Sequence, residues 1–290
     1  MSTMPAGKLP LPELAAMKER GDKIVMVTAY DAPGARFAED AGIDMVLVGD
    51  TAAMVVLGYE GTTVPVTMDE MLFLTRTVAA HSNRPLVVGD MPFGSYQVSD
   101  EDAVRNAIRF VKEGRADIVK LEGGGPMVSR VSRIVEAGIP VMGHIGLTPQ
   151  SATMLGGFKA QGRSAEKARA LLADARALEA AGCFALVLEA VPAPVAAKIT
   201  AELVIPTIGI GAGGGCDGQV LVWHDLLGLY DGHAPRFVKQ YANLADEIRR
   251  ALETYVAEVR SGAFPEERHT YAIPAEELAA FEAEAVVERP

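Results

Sequence analysis

The sequence has 290 residues, of which 49% are hydrophobic and 22% are charged. This apolar fraction is large enough to build a buried core, which excludes a disordered chain. The 27 Lys and Arg residues against 38 Asp and Glu residues leave a net charge of −11. A chain this acidic repels phosphate backbones, so we expect no nucleic-acid partner.

The chain lacks the marks of a secreted or membrane protein. Its two cysteines, Cys183 and Cys216, cannot build a disulfide framework and form no CxxC metal motif. Residues 1–23 lack the apolar segment of a secretory signal. The uncharged residues 137–158 include prolines, Gln150 and His144, which argues against a membrane span. We predict a soluble cytoplasmic protein.

No linker rich in Ser, Gly or Pro divides the sequence. The length fits two average domains or one α/β barrel of about 250 residues. We predict a single barrel domain over residues 1–290, with a short N-terminal extension and an acidic helical tail at about 274–290. Leu278, Phe281 and Val286 of this tail can dock on a neighbouring subunit, and a solvated acidic tail is the alternative.

Eight short apolar runs, rich in β-branched residues, recur along the chain. They cover residues 24–30, 44–50, 85–90, 117–123, 139–144, 184–189, 205–211 and 219–225. Continuous apolar runs are typical of parallel strands that are buried on both faces. We therefore predict a strand in each run, although few residues separate the last run from Gly215.

Helical patterns fill several of the intervals between these runs. Residues 99–113 open with Ser99 three positions before Asp102, the spacing of a capping box. Residues 165–181 are rich in Ala and Leu and stop at Gly182, a residue suited to a helix end. Eight strands alternating with helices predict a (β/α)8 TIM barrel. A doubly wound open sheet is the alternative, but no GxGxxG motif follows the first run.

Ionisable side chains stand at the ends of five predicted strands. In a barrel these ends meet at one rim, where the active site lies. One carboxylate after a strand is commonplace and can merely cap the next helix, whereas five converging strands indicate a site. The residues are Asp50, Asp90, Lys120, Glu122, His144 and Glu189.

The carboxylates of Asp50, Asp90 and Glu122 form an all-oxygen set. Hard cations such as Mg²⁺ prefer oxygen ligands, whereas Zn²⁺ prefers His or Cys. Because residues two apart on a strand share one face, Lys120 and Glu122 can both point to the rim. A simple ion pair between them is the alternative. The carboxylate set of Asp50, Asp90 and Glu122 thus favours a hard cation such as Mg²⁺, of which one or two carboxylates are the usual protein ligands.

Lys120 allows two chemical roles. As a Schiff-base nucleophile it would need a lowered pKa, but three nearby carboxylates should hold its pKa up. Binding an anionic carboxylate substrate is therefore the better role. His144 allows a hydrogen bond to the substrate, a proton shuttle or a structural bond to the backbone.

Glu189 ends an otherwise apolar run, and desolvation disfavours the charged form of a carboxylate, which suits an acid/base catalyst. The glycine-rich residues 209–215 contain no Lys or Arg, so we favour close backbone packing over anion binding. A metal-binding carboxylate set, a cationic lysine and a separate base suit aldol chemistry on a 2-oxo acid. The metal would stabilise the charge on the keto oxygen as the C3 proton leaves.

Several segments resemble the ketopantoate hydroxymethyltransferase family. They include VVGDMPF, VKLEGG, ALVLEAVP and the specific pair GHIGLTPQS and GGFKAQGR. The resemblance covers about residues 23–243. It implies a TIM barrel like that of phosphoenolpyruvate mutase and isocitrate lyase. It also implies hydroxymethyl transfer from 5,10-methylenetetrahydrofolate to 3-methyl-2-oxobutanoate, which yields 2-dehydropantoate for pantothenate and coenzyme A synthesis.

The resemblance also implies roles for individual residues. Asp50 and Asp90 would ligate Mg²⁺, and Glu122 would complete the site directly or through water. Lys120 would bind the 2-oxo acid, and Glu189 would accept the proton. Family members assemble as decamers, so a homo-oligomer is implied.

The chain departs from the family pattern after Asp50: the family usually reads GDS-L-G-M, whereas this chain reads GDTAAM over residues 49–54, so that Thr51, Ala52 and Ala53 differ. Thr51 keeps a hydroxyl for the substrate and adds a methyl group, and Gly94 and Ser95 follow the PF pair where larger residues are more common. One alternative is a divergent paralogue that acts on another 2-oxo acid. Others are a Mg²⁺-dependent lyase or mutase of the isocitrate lyase type, and a protein that binds without catalysis.

Overall fold

A computed structural model describes residues 7–229 and 235–285. In this part of the chain, eight parallel strands hydrogen-bond in sequence order and close into a barrel. The strands are β1 (Ile24–Thr28), β2 (Met45–Val48), β3 (Leu86–Asp90), β4 (Ile118–Glu122), β5 (Val141–Gly146), β6 (Ala185–Glu189), β7 (Thr207–Ile210) and β8 (Gly218–Leu221). The predicted (β/α)8 barrel is confirmed, and the open sheet is wrong.

Helices follow most of the strands. They are α1 (Leu11–Arg20), α2 (Ala32–Asp40), α3 (Ala52–Val55), α4 (Met68–Ala79), α5 (Asp100–Lys112), α6 (Met127–Glu136), α7 (Ala152–Leu155), α8 (Ala165–Ala180), α9 (Ala193–Glu202), α10 (Trp223–Leu227), α11 (Leu244–Ser261) and α12 (Ala275–Ala285). Short 3-10 turns cover Pro149–Ser151 and Glu267–His269. None of the helices in the described ranges is long and apolar enough to cross a lipid bilayer.

The predicted helix ends are confirmed at two places. The Ser99 hydroxyl accepts a hydrogen bond from the backbone N–H of Asp102 at 3.0 Å, which caps the start of α5. Helix α8 ends at Ala180, and Gly182 follows with φ of 97°, a conformation that favours glycine.

The last strand is shorter than predicted. The run 219–225 was expected to be extended, but Trp223–Leu227 forms α10. Where the ladder between β8 and the neighbouring strand β1 ends, the Trp223 backbone N–H donates to the Thr28 hydroxyl of β1 at 2.9 Å. Between β7 and β8 the described chain contains no helix, so the strand–helix alternation breaks there.

The chain divides into two compact units, residues 1–242 and 243–290. The first contains the barrel, and the second contains α11 and α12. Helix α12 agrees with the predicted acidic helix, although Val286 lies outside the described residues. A single domain over residues 1–290 stays a prediction.

Inward-facing positions of the strands change character along the barrel. Near the amino ends they are apolar, as at Met26, Val88 and Ile118, and Leu14 of α1 packs against the same cluster. Alternate residues point outward and pack against the helices. Because side chains alternate with a period of two, the next inward positions after Val88 and Ile118 are Asp90 and Lys120. The barrel floor is therefore apolar, and the rim is ionisable.

Candidate active site

Strand register brings the predicted residues together. Asp90 pairs with Lys120 between β3 and β4, and Glu122 pairs with His144 between β4 and β5. Glu189 closes β6 beside Gly146 of β5. The predicted rim of charged side chains is thus present in the structure, and most of it is buried.

Lys120 is a buried cation held by a carboxylate. Its Nζ lies 2.7 Å from both carboxylate oxygens of Asp90 and 3.9 Å from Glu122 Oε1. Burial lowers the pKa of Lys120, but the charges of Asp90, Glu122 and Asp50 more than offset this and raise it. The side chain therefore stays protonated, as expected, which argues against the Schiff-base role.

His144 lies between two carboxylates. Its Nδ1 is 3.4 Å from Glu122 Oε1, and its Nε2 is 3.3 Å from Glu189 Oε2. Neither ring nitrogen meets the geometry of a hydrogen bond to any described residue, so the alternative role of a structural bond to the backbone is not observed. Burial and Lys120 lower the pKa of His144, but Glu122 and Glu189 raise it to about 9. A positive ring thus connects Glu122 with Glu189.

The carboxyl groups of Asp50, Asp90 and Glu122 are all buried at this rim, and Lys120 is paired with Asp90. Burial, followed by the charges of Asp90 and Glu122, raises the pKa of Asp50 to about 8. Glu122 Oε1 is buried and has no hydrogen-bond partner among the described residues. Both observations fit a site that takes up an additional cation.

The donor set suits Mg²⁺ with a small number of protein ligands. Within residues 7–229 and 235–285, no three His, Cys, Asp or Glu side chains form a ready metal cage. Mg²⁺ usually takes one or two carboxylates and completes its shell with waters and substrate oxygens. Asp50 and Asp90 fit direct ligands, and Glu122 fits a ligand that acts through water. This ligand set stays a prediction.

Gln150 connects the carboxylates, and sequence reasoning did not single it out. Its Nε2 donates to Asp50 Oδ2 at 3.0 Å and to the Met91 carbonyl at 2.9 Å, and its backbone N–H donates to Glu122 Oε2 at 3.0 Å. The Tyr96 hydroxyl donates to Gln150 Oε1 at 2.6 Å and accepts from the Glu122 N–H. The signal was its place in GHIGLTPQS, six residues after His144.

Replacing Gln150 with leucine should lower both Mg²⁺ affinity and kcat by about 10- to 100-fold, because the variant cannot orient the Asp50 carboxylate. Buried partners left without hydrogen bonds should also cost about 1–3 kcal/mol in the free energy of unfolding. Steady-state kinetics with Mg²⁺ titration and urea unfolding test both effects. As a control, Gln219→Leu removes an exposed amide bonded to the Gly213 carbonyl. Wild-type kinetics in Gln150→Leu would contradict the assignment.

Two connected cavities open at the rim. The inner chamber, about 40 Å³, is lined by the charged residues already described together with Thr51, Pro149 and Val222. The outer cleft, about 800 Å³, shares Thr51, Pro149, Glu189, Ile210 and Val222 with the chamber. A small substrate in the chamber can therefore meet a larger one in the cleft.

The segment that departs from the family pattern forms a helical turn. Thr51 precedes α3 and lines both cavities. Ala52 and Ala53 are completely buried, and the Ala53 N–H donates to the Asp50 carbonyl at 2.9 Å. Short side chains at these two positions therefore let the turn pack closely beside Asp50.

Four of the five glycines in residues 209–215 pack closely against neighbouring side chains, as favoured from the sequence, and Gly214 faces open space. A Cβ on Gly211 would lie 2.6 Å from the Phe237 ring, and one on Gly215 would lie 2.8 Å from Ala197. Gly211 also has φ of 63°, which favours glycine.

Comparison with known proteins identifies close relatives. The family model for ketopantoate hydroxymethyltransferase matches residues 8–267. The chain is 61% identical over 264 residues to a 3-methyl-2-oxobutanoate hydroxymethyltransferase of Moorella thermoacetica, an alignment that covers 91% of this chain and 98% of that protein. It is 58% identical to the protein of the same name from Carboxydothermus hydrogenoformans, with 91% and 96% coverage.

Solved structures with the same fold are more distant in sequence. A phosphonopyruvate hydrolase in complex with oxalate and Mg²⁺ has a TM-score of 0.58 and 13% identity, covering 96% of this chain and 97% of that one. A 2,3-dimethylmalate lyase of the PEP mutase/isocitrate lyase superfamily has a TM-score of 0.55 and 16% identity, with 95% and 98% coverage. At these identities the likeness concerns the fold alone, and it confirms the predicted barrel type.

Proposed function

Because the chain belongs to the ketopantoate hydroxymethyltransferase family, we propose that it transfers a hydroxymethyl group from 5,10-methylenetetrahydrofolate to 3-methyl-2-oxobutanoate. The reaction consumes one water, forms a carbon–carbon bond at C3, and releases tetrahydrofolate and 2-dehydropantoate for pantothenate and coenzyme A synthesis. The observation that carries the proposal is the meeting of Lys120, the buried carboxylates and Glu189 at one small chamber.

The inner chamber binds the 2-oxo acid. The protonated Lys120 offers an ammonium to the substrate carboxylate, and Thr51 offers a hydroxyl where the chamber meets the cleft. Asp50 and Asp90, together with Glu122, would hold Mg²⁺. When bound, this ion would neutralise the negative charge that develops on the keto oxygen as C3 loses its proton.

Glu189 accepts the proton from C3. Its side chain is 17% exposed and lines both cavities, so it faces the place where the two substrates meet. His144 lies 3.3 Å from Glu189 Oε2 and holds that oxygen in place, which leaves the other oxygen to take the proton.

A proton-exchange measurement tests this function. Purified protein is incubated with 3-methyl-2-oxobutanoate in deuterated water, with Mg²⁺ or with EDTA, and the C3 proton is followed by NMR. We expect the C3 proton to exchange only when Mg²⁺ is present. A parallel tube that also contains tetrahydrofolate should give the same result. No exchange by protein shown to bind Mg²⁺ would contradict the proposal, and exchange of another 2-oxo acid instead would favour the divergent paralogue.

We also propose that the chain is a homo-oligomer, a decamer by family resemblance. Leu252, Val256 and Val259 follow each other at helical spacing on α11 and are between 42% and 59% exposed in the single chain. Exposed apolar residues on one helical face suit contact with another subunit. A sedimentation-velocity experiment that gives the mass of a single chain, 30.6 kDa, would contradict the proposed homo-oligomer. The cytoplasmic location stays a prediction from the sequence.

A further inference from the structure

The loop that follows β3 brings a tyrosine hydroxyl to the carboxylates of the rim. Tyr96 lies six residues after Asp90 and is only 1% exposed, so its hydroxyl must find its hydrogen-bond partners within the protein. It donates to Gln150 Oε1 at 2.6 Å and accepts from the Glu122 backbone N–H at 3.1 Å. One hydroxyl therefore joins the end of β4 to the side chain that donates to Asp50.

The amide of Gln150 is held at both of its ends. Its Nε2 donates to Asp50 Oδ2 at 3.0 Å and to the Met91 carbonyl at 2.9 Å. Its Oε1 accepts from the Tyr96 hydroxyl and, at 3.2 Å, from Gln97 Nε2. The last torsion of a glutamine side chain has no sharply preferred angle, so its partners must fix the plane of the amide. The bonds to Oε1 thus set the direction in which Nε2 donates to Asp50.

The loop that carries these two donors is fixed from outside the barrel by Arg130 of α6. The Arg130 Nε donates to the Tyr96 carbonyl at 3.1 Å, and its Nη2 donates to the Gln97 carbonyl at 3.3 Å. The same guanidinium forms an ion pair with Asp100 at the start of α5. Because a guanidinium presents its donors in a rigid fork, Arg130 ties the loop to two helices of the outer ring. The anchoring of Tyr96 therefore does not depend on Gln150.

We propose that Tyr96 is a positioning residue for the metal site and acts through Gln150. The hydroxyl fixes the plane of the Gln150 amide, and the amide holds the Asp50 carboxylate in the orientation that receives Mg²⁺. Hydrogen-bond partners behind a metal ligand contribute about 10- to 100-fold to metal affinity. Tyr96 lines neither the inner chamber nor the outer cleft, so its effect reaches the metal through other residues. The inference rests on the proposed function, in which Asp50 ligates Mg²⁺.

The test is a double-mutant cycle on the dissociation constant of Mg²⁺, measured by calorimetry on the full chain without substrate. Tyr96→Phe removes only the hydroxyl and should weaken Mg²⁺ binding by about tenfold. In the Gln150→Leu background no amide remains to be positioned, so the same change should alter the affinity by less than about twofold. The matched control is Tyr59→Phe, which removes a hydroxyl bonded to Glu70 outside both cavities and should leave the affinity unchanged.

Affinity losses that multiply in the double variant would overturn the proposal, because Tyr96 would then act through the Glu122 N–H or through the fold alone. Wild-type Mg²⁺ affinity in Tyr96→Phe would overturn it as well. A crystal structure of metal-free Tyr96→Phe gives a second measurement that requires neither metal binding nor activity. We expect the Gln150 amide to move out of hydrogen-bonding distance of Asp50. An amide that stays in place, at 3.0 Å from Asp50 Oδ2, would contradict the role of Tyr96.

The outcome can be separated from that of the proposed function, because C3 proton exchange is measured on the wild-type protein. Exchange by the wild type together with independent losses in the cycle would reject only the role of Tyr96. Absent exchange, together with the expected coupling and the displaced Gln150 amide, would contradict only the reaction.

Discussion

Replacing Glu189 with glutamine should lower the rate of C3 proton exchange by about 10²- to 10⁴-fold, the usual contribution of a positioned general base. The amide has nearly the same shape as the carboxylate but cannot accept the C3 proton. Because Lys120 and the metal-site carboxylates are untouched, affinity for 3-methyl-2-oxobutanoate should change by less than about threefold. Exchange is followed by NMR with saturating Mg²⁺, and affinity by calorimetry.

The matched control is Glu19→Gln, an exposed glutamate of α1, whose core residue Leu14 packs at the opposite end of the barrel. The Glu19→Gln variant should catalyse C3 proton exchange at the wild-type rate. If Glu189→Gln retains exchange within tenfold of the wild type, the proton acceptor must be another group.

Replacing Asp50 with asparagine should change activity and stability in opposite directions. Mg²⁺ binding and exchange should fall by about 100-fold or more, because one metal ligand loses its charge. Without metal, the variant should be more stable than the wild type by about 1–3 kcal/mol at neutral pH, because the raised pKa of Asp50 makes the wild type take up a proton on folding, whereas asparagine needs none. The asparagine oxygen can still accept the hydrogen bond from Gln150. Urea unfolding in EDTA and in Mg²⁺ measures both effects.

Asp40→Asn at the exposed end of α2 is the control, and it should alter the unfolding free energy by less than about 0.5 kcal/mol. Added Mg²⁺ should stabilise the wild type and the control but not Asp50→Asn. A metal-free Asp50→Asn protein that is less stable than the wild type and still gains stability from Mg²⁺ would contradict the assigned metal site.

The sequence by itself determined the barrel and most of the rim. Apolar runs buried on both faces mark parallel strands, and the period of two carries the inward face from Val88 to Asp90 and from Ile118 to Lys120. Because the carboxyl ends of parallel strands meet at one rim, residues such as Asp90 and Glu189 could be grouped without coordinates. The family segments added the reaction, since motifs such as GHIGLTPQS are specific.

Only the tertiary structure decided how distant segments meet. The Gln150 side chain donates a hydrogen bond to Asp50, which is 100 positions away in the sequence. Strand β8 ends where the Trp223 N–H donates to the Thr28 hydroxyl, 195 positions away. The outer cleft joins segments as distant as Thr51 and Phe237. Local patterns specify which way a side chain points along its own strand or helix. The residues that this side chain contacts are decided by closure of the barrel, because closure sets the distance between residues that are far apart in the sequence.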